Sequence, residues 1–348
     1  MASADPRDIV SRHQVYLERL KAGYTKDYEV AIRKSDKAIQ EVLKALKVET
    51  LNELTRKDLK ALLVALREAQ APYYVKAMDN IAANFALLAT AEAAFEVKLI
   101  QTVSQAQIRK AANAYANALR TPISATGELL EPFLTDLSAR EIKRVENEVM
   151  KSVAQGRTIS QTVAAVRGTK KNNYQDGVLQ RNWDDARTVL RTATQHVSSM
   201  GRQATWVANS DIIDSYQWVS TLDGKTSQQC KSLDGTIYKI GKGPMPPIHP
   251  NCRSTTVPYF PPSEFDDGAT RSAEFGPVDV NTSYYEWLKQ QPESFRVDAL
   301  GPTRAKLFRS GGLSSKEFAD LNLDRNFQPL TLDEMRKLNP HAFELAKI

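Results

Sequence analysis

Across the first 120 residues apolar side chains recur at threes, fours and their sums, a period that commits this part of the chain to long helices. Leu17, Leu20, Tyr24, Tyr28, Ile32, Ile39, Val42 and Leu46 form one stripe, with charge on the other faces. Pro6 after Asp5 suits the first helical position, where a missing N–H costs nothing. A second run opens at Thr55-Arg-Lys-Asp58, which puts a hydroxyl at the N-cap and a carboxylate in the first turn. It carries Leu59, Leu62, Leu63 and Leu66, is expected to break at Pro72, and resumes through Ile81, Phe85, Leu88, Phe95 and Leu99. The alanine-rich stretch 77–119 favours helix and close approach between helices. Lys76, Asp79, Glu92 and Lys98 punctuate the stripe, which therefore reads as core rather than as a membrane-active face.

Prolines 122 and 132 and Gly127 mark a break over 121–132. Ser138-Ala-Arg-Glu141 and Thr158-Ile-Ser-Gln161 have the form of capping boxes, opening helices to about Ala154 and Arg167. A polar loop, 168–177, leads to a helix from about Leu179 to Asn209 with Trp183, Ala186, Val189, Leu190, Ala193 and Val197 on one face. The texture then changes. Residues 216–220 and 236–240 alternate as short strands, Asp223-Gly224 marks a tight turn, and 255–259 is a third strand candidate. The expected fold is thus mainly α with a small α+β module. Long N-terminal helices fill 1–120, a helical part 121–209, and a short β-hairpin module 210–260. A Pro/Gly-rich extended tail with short helices takes 261–348. Within that tail Tyr284–Leu288 is an aromatic helix, and Ser314–Glu317 and Thr331–Glu334 are capping boxes.

A chain of 348 residues, 42% hydrophobic and 25% charged, can bury one large core or a few smaller ones. No window reaches the roughly 18 consecutive apolar residues of a membrane span. The polar, charged N-terminus lacks the apolar region of a secretory signal, so a reducing cytosol, or a particle assembled there, is expected. The 47 basic residues are interspersed with 41 acidic ones, a modest excess of +6 that permits phosphate contact without demanding it. Arg167, Lys170 and Lys171 form the local run that could touch nucleic acid.

Both cysteines and one of four histidines fall within 223–257. Cys230 precedes a Leu-Asp-Gly turn; His249 and Cys252 come after a rigid proline-rich loop. Thiolates and imidazole within reach of one another can hold zinc, form a disulfide, act as a catalytic dyad, or simply pack. Zinc prefers four ligands in two close pairs. His249 and Cys252 are one such pair, but Ser227 stands where Cys-x-x-Cys would place a partner for Cys230. Water, Asp223 or Asp234 could complete the set. No cysteine-hydrolase signature, phosphate-binding loop, dinucleotide loop or HExxH motif is present, so no catalytic or cofactor-binding residue is assigned. His13, His196 and His341 have no partner at ligand spacing and read as structural or exposed.

In order, Thr158–Val163, Arg191-Thr192-Ala193-Thr194, Trp218–Asp223, Thr226, Cys230, Leu233-Asp234-Gly235 and Pro247-Ile-His249-Pro250-Asn251-Cys252-Arg253 resemble the phage Mu protein F-like head morphogenesis domain. Thr194 stands at a position offset from the glutamate of that pattern, and Ser227 and Ser254 replace cysteines found in many members. The resemblance covers about a hundred residues, 158–258; Tyr285–Gln291 and Leu300–Arg304 also resemble the segment C-terminal to the domain in many such proteins. It implies a minor head protein of tailed phages: a virion component in the capsid interior, made in the host cytoplasm, with no membrane during assembly. It further implies binding to the portal, contacts with major capsid or scaffolding protein and packaged DNA, and a part in DNA packaging or ejection. It implies no enzymatic activity. A metal-dependent nuclease or toxin-like effector on the same module is the competing reading.

Overall fold

The computed structural model describes residues 5–104, 106–260 and 269–348; the extreme N-terminus and the expected start of the tail at 261–268 lie outside them. Helix α1 (Pro6–Lys44) begins where Asp5 accepts a hydrogen bond from the Arg7 amide at 2.7 Å. It runs antiparallel to α2 (Arg56–Ser104). Tyr24 meets Phe85 edge-on, and His13 meets Glu92 further along.

Helix α2 continues through Pro72 instead of breaking there. A proline inside a helix frees the carbonyl four residues back. Here Pro72 and Glu68 are both exposed, so water can satisfy that carbonyl, while Leu66, Gln70 and Tyr74 stay buried on the inner face. The box at Ser138 is corrected too. Helix α4 (Leu130–Ala154) starts eight residues earlier, Ser138 lies within it, and Glu141 is buried rather than capping. Leu130, Phe133, Leu134 and Leu137 extend the apolar stripe N-terminally, and Pro132 is tolerated in the first turn.

Helices α3 (Ala114–Arg120) and α5 (Ile159–Arg167) complete the bundle around α6 (Val178–Ala208). Thr158 and Gln161 close a true capping box on α5, at 3.2 and 2.9 Å. One core joins Leu17 and Ile39 of α1, Phe85 and Ala89 of α2, Leu137 and Val145 of α4, and Leu190 and Val197 of α6. Every residue of α6 from Thr192 to Arg202 is buried, so the helix is enclosed around its whole girth. Most of its polar side chains are tolerated because they find partners. His196 lies 2.9 Å from the Ala118 carbonyl, and Ser198 donates to Glu92 at 2.9 Å. The same packing demands glycine at 201: a Cβ there would lie 2.8 Å from the Ala89 carbonyl oxygen of α2. Gly201→Ala is therefore expected to cost about 1–3 kcal/mol by forcing α2 and α6 apart. A shift in the urea midpoint checks this; an unchanged midpoint would contradict the close crossing.

Strands β1 (Ser215–Val219), β2 (Ile237–Lys239) and β3 (Thr255–Pro258) lie where the alternation predicts strands, and they form an antiparallel sheet in the order β2-β1-β3. Tyr216 pairs with Tyr238 on one side, and Trp218 with Thr256 on the other. Between β1 and β2 lies α7 (Gln228–Leu233). A two-stranded pair, β4 (Thr270–Arg271) and β5 (Val278–Asp279), comes next.

The expected short helices of the C-terminal region are α8 (Tyr284–Lys289), α9 (Glu293–Leu300), α10 (Pro302–Ser310), α11 (Ser315–Leu321), α12 (Leu332–Leu338) and α13 (Pro340–Ala346). They do not lie extended but gather around a second core of Tyr285, Trp287, Leu307, Phe308, Phe318, Met335 and Phe343. Aromatic edge-to-face packing holds it, with Tyr285 against Phe318 at 5.0 Å between centroids. No helix among the described residues is long and apolar enough to cross a membrane.

Candidate metal centre

The three reactive side chains of 223–257 come together. Ser227 caps α7, its Oγ accepting from the Cys230 amide at 3.2 Å, which places Cys230 in the first turn facing inward. His249 and Cys252 sit on a tight knuckle in which the Cys252 amide approaches the His249 carbonyl at 3.3 Å. Asn251 holds the left-handed conformation this turn requires, φ 59°, which asparagine tolerates better than most residues. Cys230 Sγ lies 3.1 Å from His249 Nε2 and 3.7 Å from Cys252 Sγ, and no disulfide joins the two sulfurs. Ser227 Oγ is 2.8 Å from the same imidazole nitrogen. The three ligand atoms all lie within 4.8 Å of one another, the only such His/Cys/Asp/Glu group found among the described residues.

Trp218 forms one wall of the cluster, packing with Cys230, Leu233 and Cys252. Its indole N–H donates to Ser220 Oγ at 2.9 Å, and that hydroxyl donates to the Cys230 carbonyl at 2.6 Å. Burial pushes the Cys230 thiol up. Burial acts the same way on Cys252, but hydrogen bonds with Cys230 and the nearby His249 outweigh it and hold that thiol well below its ordinary value. His249 is raised: burial opposes its charge, and the Cys252 thiolate more than offsets this.

Neither aspartate considered as a fourth ligand joins the cluster. Asp223 forms a two-pronged ion pair with Arg253 at 2.6 and 2.8 Å, and Asp234 one with Arg271 at 3.0 and 3.0 Å. Hydrogen bonding to Arg253 holds the Asp223 carboxyl low against the opposing effect of burial. Both acids also accept from backbone amides, Lys225 for Asp223 and Ser220 for Asp234, so they shape the loop.

The knuckle is seated on the helices. The Asn251 amide donates to Thr192 Oγ1 at 3.0 Å and its side chain to Thr188 Oγ1 at 3.3 Å, both on α6. Gln195 donates to the Ser254 carbonyl at 3.1 Å. Lys21 of α1, fully buried, donates to the Cys252 carbonyl at 3.2 Å and is held by Glu18 and Gln195, each at 2.6 Å. Burial lowers its pKa. Sequence reasoning missed Lys21, because nothing local links it to a residue 231 positions away.

The other site residues stand apart. Arg167 faces Asp36 at 3.3 Å and covers the Tyr174 ring at 4.5 Å. Lys170 and Lys171 lie exposed on a short 3-10 turn, in a loop that Asp176 staples through Thr169 and Asn172. His13 does have an acidic partner, Glu92 at 2.7 Å, contributed by α2, and stacks on Phe95. His341 is exposed, and His196 is buried, which lowers its pKa.

No curated protein and no solved structure matches the chain. Residues 143–257 match the family model described as Phage Mu protein F like protein, a span from within α4 to β3 that contains the knuckle and its seat on α6. Over that span the chain is similar to the phage Mu protein F-like family, which suggests a phage head protein.

Proposed function

We propose that this protein is a minor head protein that binds the portal inside the capsid and aids head assembly and the packaging or delivery of DNA. The family match over 143–257 carries the reading. The geometry agrees with a structural part: the motif residues outside the Cys/His cluster are spent on holding the fold. Asp223, Asp234, Arg253, Thr192 and Asn251 each answer a partner within the chain. Portal, major capsid or scaffolding protein, and packaged DNA are the partners this role calls for. Phosphate contact at the 167–171 loop would fall to Lys170 and Lys171, because Arg167 is engaged by Asp36.

The nuclease or effector reading needs a carboxylate or free base beside a metal. The nearest motif acids are both locked in ion pairs, which disfavours it. The test is co-purification of tagged protein with its phage's portal, together with mass spectrometry of purified virions. Capture of portal and a few copies per virion are expected. Absence from virions together with no portal capture would overturn the reading.

A further inference from the structure

We propose that Cys230, His249 and Cys252 bind one zinc ion, with Ser227 Oγ or a water in the fourth position, and that the ion fastens α7 to the knuckle seated on the helical core. The inference stands apart from the head-protein reading and needs none of it.

The spacing comes first. In a tetrahedral site with zinc–sulfur bonds of about 2.3 Å, two sulfurs lie about 3.8 Å apart. The two sulfurs here are 3.7 Å apart, with the imidazole nitrogen 3.1 Å from one of them. An ion entering between them requires only small side-chain movements.

The histidine is already oriented. Its Nδ1 faces the Pro250 carbonyl at 2.9 Å, so that nitrogen carries the proton and the Nε2 lone pair points at the sulfurs. A carbonyl fixing the distal nitrogen is the usual outer-shell arrangement of a metal-bound histidine.

Charge supplies a third argument. Cys230 is 1% and Cys252 0% exposed, where an uncompensated charge is costly. Two thiolates, a neutral imidazole and a divalent cation sum to zero. Loading releases two protons from the cluster to solvent. Two sulfurs and a nitrogen are soft donors, which select zinc over magnesium or calcium.

The fourth position faces the half-exposed Ser227, whose hydroxyl is 2.8 Å from His249 Nε2. A hydroxyl is a weak zinc ligand, so water from that side completes the shell.

The consequence is mechanical. The knuckle is anchored to α6 by Asn251 and to α1 by Lys21, whereas Cys230 belongs to α7. An ion shared by Cys230 and Cys252 joins these parts more firmly than thiol packing does.

The test uses the full chain purified under reducing conditions. About one zinc per chain is expected by elemental analysis, falling below about a tenth of that in Cys252→Ser and in His249→Gln. Ser227→Cys completes four ligands and is expected to slow zinc loss to a chelator by about tenfold or more. Because the cysteine variants could misfold, cobalt titration of the metal-stripped wild-type chain gives a second readout. Thiolate-to-cobalt charge transfer with tetrahedral d–d bands is expected. Chelation should also open the 223–257 loop to protease. No zinc together with no thiolate–cobalt band would overturn the proposal, as would zinc retained at full level in both His249→Gln and Cys252→Ser.

Discussion

Arg202→Leu is expected to destabilise the chain by about 3–5 kcal/mol, the cost of stripping one partner from a buried ion pair. Arg202 is 2% and Glu96 0% exposed, so no water is at hand to replace a lost contact. The guanidinium donates to Glu96 at 2.7 Å, to Thr255 Oγ1 at 2.7 Å and to the Thr256 carbonyl at 2.5 Å. The second carboxylate oxygen of Glu96 takes the Trp206 indole N–H at 2.6 Å. One side chain therefore joins α2, α6 and β3, the elements that connect the bundle to the sheet. Removing it leaves a buried carboxylate with a single donor and two unanswered acceptors. The double variant Arg202→Leu/Glu96→Gln removes the orphaned charge and keeps an acceptor for Trp206, so most of the loss should return. Urea midpoints with an unchanged slope measure both. A single-variant loss below about 1 kcal/mol would show that Glu96 is not held as a buried anion.

Glu141→Gln is expected to act in the opposite direction, stabilising the protein above pH 8. Burial pushes the Glu141 carboxyl from 4.5 up to about 8, and the hydrogen bond from Tyr28, 2.9 Å, only partly opposes it. The other oxygen, Oε1, has no hydrogen-bond partner among the described residues. Arg144, the nearby cation, is drawn away by Asp185. With a folded value above the unfolded one, the native state keeps its proton through a range where the unfolded state has lost it. Stability from this group is fully present below pH 4.5 and drains away as pH rises to about 8. At 1.4 kcal/mol per pH unit the loss between 4.5 and 8 is on the order of 5 kcal/mol. Glutamine keeps an acceptor for Tyr28 and never ionises. The variant should match wild type near pH 4.5 and exceed it by most of that amount at pH 8.5. Parallel stability curves across this range would sink the idea.

Glu141 also shows where sequence spelling and structure part. Ser138-Ala-Arg-Glu141 and Thr158-Ile-Ser-Gln161 have the same form, yet only the second is a cap. A capping box is a local device and operates only if the chain before it leaves the helix. At 158 it does. At 138 the stripe of Leu130, Phe133, Leu134 and Leu137 finds a core to pack on, and the helix runs on. Pro72 obeys the same logic: one lost hydrogen bond on a wet surface is outweighed by the apolar face it leaves buried.

The Cys/His cluster divides in the same way. Its three side chains, and the missing partner at Ser227, were legible from residue type and order. Its surroundings were not. Thr188 and Thr192 lie about sixty residues before the knuckle and Lys21 more than two hundred, and no local pattern ties them to it. Nor did composition foretell that Asp223 and Asp234 would be consumed by Arg253 and Arg271.

By itself the amino-acid order determined what short-range forces set: helical period, the caps at Thr158, Ser314 and Thr331, strand alternation around Trp218, and a Cys/His group confined to one loop. Only the tertiary structure decided which polar groups are buried and with whom, that α6 is enclosed on every side, and that the C-terminal helices close around a core of their own. Those outcomes depend on contacts between residues far apart in the chain, where the gain from burial must exceed the cost of desolvating each polar group. Such a balance exists only once the partners have met.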